Sequence, residues 1–232
     1  MQHRTKHEPS SALLEVHLDP GEALTAEAGA MVARSPSLRT EVRLNAGRGA
    51  GFFGRLKAFF IALLRKFAGG ETFFVNRIEA PGAAGWVWLA PPLSGRIKHV
   101  ALRGETMLFS AGSYLASAGD IDVKVRWGGL RGVLAREGIF FIEASGVGDL
   151  WITSYGAIEE LPCDGSLVVD GGHLVGFDAS LALKIRSPGG GLMGLVLSGE
   201  GVVCELTGRG RVLIQSRSAG ALVGWLAPLL PP

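Results

Sequence analysis

Apolar and polar residues alternate along this chain in short stretches, and glycines punctuate the alternation. Ile121-Asp122-Val123-Lys124-Val125-Arg126 and Leu181-Ala182-Leu183-Lys184-Ile185-Arg186 have the two-residue period of a strand with one buried face. Compact apolar runs such as Trp86-Val87-Trp88-Leu89, Leu150-Trp151-Ile152 and Val212-Leu213-Ile214 lie between glycines. Short strands separated by turn glycines predict an all-β sandwich or barrel-like domain.

The pattern occurs three times. With Gly29, Gly112 and Gly172 aligned, Leu24, Met107 and Leu167 stand five positions earlier and Met31, Tyr114 and Leu174 two positions later. Each copy reaches a glycine loop: Gly51-Phe52-Phe53-Gly54, Gly129-Leu130-Arg131-Gly132 or Gly191-Leu192-Met193-Gly194. A glutamate follows (Glu71, Glu137, Glu200), then an apolar strand, then a further glycine (Gly85, Gly148, Gly210) that is expected to open another strand. The chain therefore reads as one β domain over residues 12–218, built of three pseudo-symmetric repeats at about 12–100, 101–162 and 163–218. A polar, flexible N-terminus (1–11) is expected before it and an apolar tail (219–232) after it.

One copy is longer than the others. From loop glycine to glutamate, copy one runs from 51 to 71, copy two from 129 to 137 and copy three from 191 to 200. The extra residues fall in 55–69. On a helix at 100° per residue, Leu56, Phe60, Leu63, Leu64 and Phe67 share one sector, with Arg55, Ala58, Ala62, Arg65 and Lys66 opposite. Phe59 and Lys57 break the pattern, and Gly69-Gly70 ends it. The expectation is a short amphipathic helix inserted at 52–69. Two readings stand for it: packing on the sheets or a neighbouring subunit, or lying in a lipid interface as basic Phe- and Leu-rich helices do. In either case the contact residues are Phe52, Phe53, Arg55, Leu56, Lys57, Phe60, Leu63, Leu64 and Phe67. The tail is a second apolar excess. It carries no charge from Ala219 to Pro232, Pro228 limits any helix in it, and a cap over an open sheet edge is the favoured reading.

Composition narrows the classes. Hydrophobic residues are 47% and charged residues 19%, enough apolar content for a real core. Glycine, at 35 residues, is about twice its ~7% average usage, in keeping with many turns. A net charge of +2 gives no electrostatic argument for nucleic acid, and Arg43, Lys124, Arg126, Lys184 and Arg186 read as a solvated strand face. Cys163 and Cys204 form neither a disulfide framework nor a metal motif, which suits a reduced cytoplasmic setting. No stretch approaches the ~20 apolar residues of a spanning helix.

Catalytic chemistry is not evident. Gly189-Gly190-Gly191-Leu192-Met193-Gly194 matches a dinucleotide fingerprint but lacks the flanking strand and helix, so a hairpin loop is expected. His3, His7, His17, His99 and His173 show no ligand spacing on one element, and no metal or cofactor is expected. Glu71, Glu137 and Glu200 occupy repeat-related places, which favours a structural role at the strand starts over a converging pair of carboxylates.

The chain resembles the altered-inheritance-of-mitochondria family, proteins of the tryptophan-RNA-binding-attenuation-protein-like fold. The likeness is carried by Pro20-Gly21-Glu22 with Ala26-Glu27-Ala28-Gly29-Ala30-Met31, by Gly70-Glu71-Thr72-Phe73-Phe74-Val75-Asn76, by Leu89-Ala90-Pro91 with Gly95, by Gly112-Ser113-Tyr114-Leu115-Ala116, by Val169-Asp170-Gly171-Gly172-His173-Leu174-Val175 and by Ser198-Gly199-Glu200-Gly201. The resemblance implies a pseudo-threefold β domain, often homo-oligomeric, with eukaryotic relatives at the mitochondrial inner membrane and no established catalytic residues. The insertion is more apolar and basic than the family pattern. The expected function is a non-enzymatic scaffold, assembled as a homo-oligomer (trimer or higher), cytoplasmic and peripheral to an anionic membrane through residues 52–67. Nucleic-acid binding by fold analogy and small-ligand binding are the alternatives, and neither a nucleic acid nor a small-molecule substrate is identified by a motif.

Overall fold

The computed structural model describes residues 1–44, 74–127, 140–186 and 202–230. Its strands are β1 (Gln2–Lys6), β2 (Leu13–Leu18), β3 (Ala23–Glu27), β4 (Met31–Arg34), β5 (Arg39–Leu44), β6 (Phe74–Glu79), β7 (Gly85–Leu89), β8 (Ile97–Ser110), β9 (Tyr114–Trp127), β10 (Phe140–Thr153), β11 (Ile158–Asp170), β12 (Leu174–Asp178), β13 (Ala182–Arg186) and β14 (Val203–Gln215). Among the described residues one α-helix, α1 (Ala219–Leu226), follows the last strand. The protein is all-β, as the alternation predicts. The helix expected at 52–69, with all nine contact residues named for it, lies outside the described residues.

Two antiparallel sheets form the body. The smaller has the order β1-β2-β7-β4; the larger runs β11-β14-β12-β8-β10-β9-β3-β6-β5, with β13 also paired to β14. Between the sheets, Leu14, Val16 and Leu18 of β2 and Val87 and Leu89 of β7 pack with Leu24, Ile78, Leu115 and Trp151. A second cluster joins Leu102, Met107, Phe109, Tyr114, Ile142 and Leu150. A third gathers Phe141, Cys163, Phe177, Cys204, Leu206 and Val212, with the Phe141 and Phe177 rings edge to face at 5.5 Å.

The N-terminus differs from expectation. Residues 2–6 are not a flexible lead but an edge strand, paired Gln2↔His17 through Lys6↔Leu13. Its charges have partners across the strand pair, because Glu15 of β2 is buried and takes both Arg4 and Lys6.

The glycines behave in two ways. Gly29, Gly112 and Gly172 each sit in the turn between two strands, β3/β4, β8/β9 and β11/β12. Asp170 fastens the last of these turns by accepting a 2.7 Å hydrogen bond from the Gly172 amide. Gly85 opens β7, as expected. Gly148 and Gly210, by contrast, open no strand; they lie inside the long strands β10 and β14. The reason is local. Between β6 and β7 stands Pro81, which has no N–H to give a ladder, and the chain changes sheet there. In β10 the chain bends within the strand instead, at a register shift between Ser145 and Val147. Gly146, at φ +124°, makes the bend possible: a Cβ there would stand 2.0 Å from the Asp120 carbonyl oxygen.

Three hairpins, β5–β6, β9–β10 and β13–β14, carry the loops compared above. In each, opposite charges face each other across the strands: Glu41↔Arg77, Lys124↔Glu143 and Lys184↔Glu205. The first hairpin reverses the sign order of the other two.

Candidate functional site

An exposed tail and a polar cluster stand out from this body. Leu44 and Phe74, which flank residues 45–73 in the sequence, are register partners in the β5–β6 pair at the outer end of the large sheet.

The tail is held at its base and bare beyond it. Ser216 donates from its amide to the Ala157 carbonyl at 3.0 Å, and Arg217 does so to the Tyr155 carbonyl at 3.2 Å. The Gln215 side chain donates to Gly172 and accepts from the Tyr155 amide. Ser218 then caps α1 by accepting from the Ala221 amide at 3.4 Å. After that cap no residue of α1 is buried. Trp225 is 66% exposed, and Val223, Leu229 and Leu230 are exposed to a similar degree. The expected cap over a sheet edge is not formed. The outer strand β11 is protected in another way, by Pro162 and by Glu159, Glu160 and Asp164, which discourage a further strand from pairing.

A cleft of about 160 Å³ lies beside the base of the tail, between Pro91-Pro92, the turns at Gly112 and Gly172, Tyr155 and Ala219. Its lining carries hydroxyls and an amide but no carboxylate, imidazole or amine. It is smaller than the ~300 Å³ at which small-molecule sites begin.

The basic strand ends are mostly neutralised. Lys124 pairs with Asp122 at 2.7 Å, Arg126 with Glu143 at 2.6 Å and Arg186 with Glu205 at 2.5 Å. Elsewhere Glu15 is held well below the usual carboxylate range, first by Arg4, then by Lys6 and Trp88, against the opposing effect of burial. Lys6 also lies over the Trp88 ring at 4.9 Å. Both cysteines are buried, and burial pushes the Cys204 thiol up to about 11, so it stays protonated and inert.

The polar cluster was not visible in the sequence. His3 of β1, His99 of β8 and Asp149 of β10 meet at the seam between the two sheets, each offering a donor atom within 4.8 Å of the others. His99 Nε2 lies 2.7 Å from Asp149 Oδ1. The His3 and His99 rings are 4.5 Å apart, and the Trp151 indole donates to His3 Nδ1 at 3.4 Å. Burial, and then the neighbouring His99, lowers the His3 pKa. Only strand pairing could reveal this group: β8 and β10 pair with His99 opposite Trp151, which sets Asp149 diagonally beside His99.

Comparison with known proteins places the whole. A family model described as mitochondrial biogenesis AIM24 matches residues 3–217. An uncharacterized protein of Streptococcus pyogenes serotype M6 is 28% identical over 222 residues, covering 94% of this chain and 87% of that one. A Streptococcus pyogenes protein solved by X-ray crystallography in a structural genomics programme matches with a TM-score of 0.80 at 26% identity, over 99% of each chain. The match to the family model ends one residue before the Ser218 cap, so it embraces both sheets and the histidine cluster. The chain belongs to the mitochondrial biogenesis AIM24 family.

Proposed function

We propose that this protein is a non-enzymatic scaffold that self-associates through its apolar tail and touches an anionic membrane through the 52–67 segment. The exposed tail is the observation that carries the reading. A helix that lies in a lipid interface needs a polar, usually basic face. Residues 219–232 carry no charged side chain, and α1 is exposed except at Leu222, which is half-buried. Burial from every side, between copies of the chain, removes that surface from water; a lipid interface removes only part of it. The 52–67 segment has the opposite character, four basic residues against a Phe and Leu sector, and suits a lipid surface.

Pairing of the strand-end cations with carboxylates argues against phosphate-backbone binding. The small cleft without an acid or base argues against an enzyme at that place. The threefold reading of the sequence supports an assembly role, since a repeated body offers several like surfaces.

A thiol placed in the tail tests the self-association. In Val223→Cys the new thiol is the reactive one, because Cys163 and Cys204 are buried. Its labelling rate should fall at least ~5-fold as chain concentration rises from submicromolar to tens of micromolar, as mass action requires. A rate independent of concentration over that range would defeat the reading.

A further inference from the structure

The cluster of His3, His99 and Asp149 serves no part of the scaffold reading, and its chemistry points elsewhere. We propose that these three residues bind one late first-row divalent cation, with Zn²⁺ the representative, and that the cation staples the edge strand β1 to β8 and β10 of the large sheet.

Donor type comes first. Two imidazoles and one carboxylate suit zinc, nickel, copper or iron, whereas calcium and magnesium prefer all-oxygen sites. Separation comes second. Around Zn²⁺, with bonds of about 2.0–2.1 Å to nitrogen, neighbouring ligands stand about 3.4 Å apart. The donors here lie within 4.8 Å of one another, and His99 and Asp149 are already at 2.7 Å. The cation replaces the proton between His99 and Asp149 and opens that pair slightly, while His3 closes upon it. Room exists for both movements, because His3 and His99 are exposed and Asp149 is half-exposed. Solvent can supply the remaining ligand.

Support from behind comes third. Trp151 is fully buried and its ring lies 5.0 Å from that of His3, edge to face, so the imidazole rests on a rigid wall. The indole hydrogen bond to His3, at 3.4 Å, is long, and it is the contact that gives way when the imidazole turns to the cation. Position comes last. β1 pairs on one side alone, with β2, and the cluster is where its outward face meets the other sheet. A cation there ties together strands far apart in sequence.

The test uses the untagged full chain, stripped with chelator and titrated with Zn²⁺ against a competing indicator. Hydrogen exchange is followed at the amides of residues 2–6. The expected result is one Zn²⁺ per chain, at least ~10-fold weaker binding in His99→Ala and in Asp149→Asn, unchanged binding in His173→Gln, and slower exchange of β1 on Zn²⁺ addition. Both altered side chains are partly exposed, and circular dichroism confirms that each variant is folded before titration. Wild-type affinity in both variants, equal competition by Mg²⁺, or binding that leaves β1 exchange unchanged would overturn the proposal.

Discussion

At the scale of residues, two positions decide more than their neighbours. Glu15 is buried beneath β1 and is the common acceptor for Arg4, Lys6 and the Trp88 indole at 3.2 Å. Its folded pKa lies below the unfolded value of about 4.3. The stabilisation it contributes is therefore complete above about pH 4.3 and is lost as pH falls from there toward the folded value. Urea midpoints at pH 7, 4 and 2.5 should fall more steeply for the wild type than for Glu15→Gln, with the variant less stable at pH 7. Parallel profiles would mean that the carboxylate is not the linked group. Gly146 is the second. In Gly146→Ala the Cβ meets a backbone oxygen, which cannot swing aside, at a φ that L-residues avoid. Destabilisation above ~2 kcal/mol is expected from denaturant midpoints, with the β10 bend as its source. A loss below ~0.5 kcal/mol would show that the bend relaxes freely.

At the scale of elements, the alternation of apolar and polar residues foretold strands well, because each strand buries one face. Ile121–Arg126 fell in β9 and Leu181–Arg186 covers β13. The pattern could not say where a strand ends. Gly85 and Gly148 look alike in sequence, yet one begins a strand and the other lies inside one; Pro81 and the change of sheet make the difference. The apolar tail was legible as apolar, but its destination was not, since hydrophobicity does not name what covers it. His3, His99 and Asp149 were invisible for a third reason: they meet only through pairing of β8 with β10 and packing of β1. The insertion makes its own prediction. Co-sedimentation with phosphatidylglycerol vesicles should weaken at least ~5-fold in a Lys57→Gln, Arg65→Gln, Lys66→Gln variant, and in the wild type should weaken with salt. No binding of the wild type to the vesicles, or wild-type binding that the variant keeps in full, would defeat the membrane reading.

At the scale of the whole molecule, a β body of two sheets is followed by an exposed apolar tail, and the sequence adds a basic, Phe- and Leu-rich segment at 52–67. The body is family property: the AIM24 match spans 3–217, and the streptococcal structure follows the chain over 99% of its length. The aligned glycines Gly29, Gly112 and Gly172 each fall in a turn between two strands, and that is as far as the comparison of copies reaches among the described residues. Assembly is the claim that gives the body a purpose, and it rests on α1 and the residues after it. The most direct measurement is the mass of the protein in solution by light scattering, for the full chain and for a chain ending at Ser218. The account predicts a mass of at least three chains for the full protein and a single folded chain for the shortened one. A full-length protein of one chain's mass, or a shortened protein that keeps the assembled mass, would contradict it.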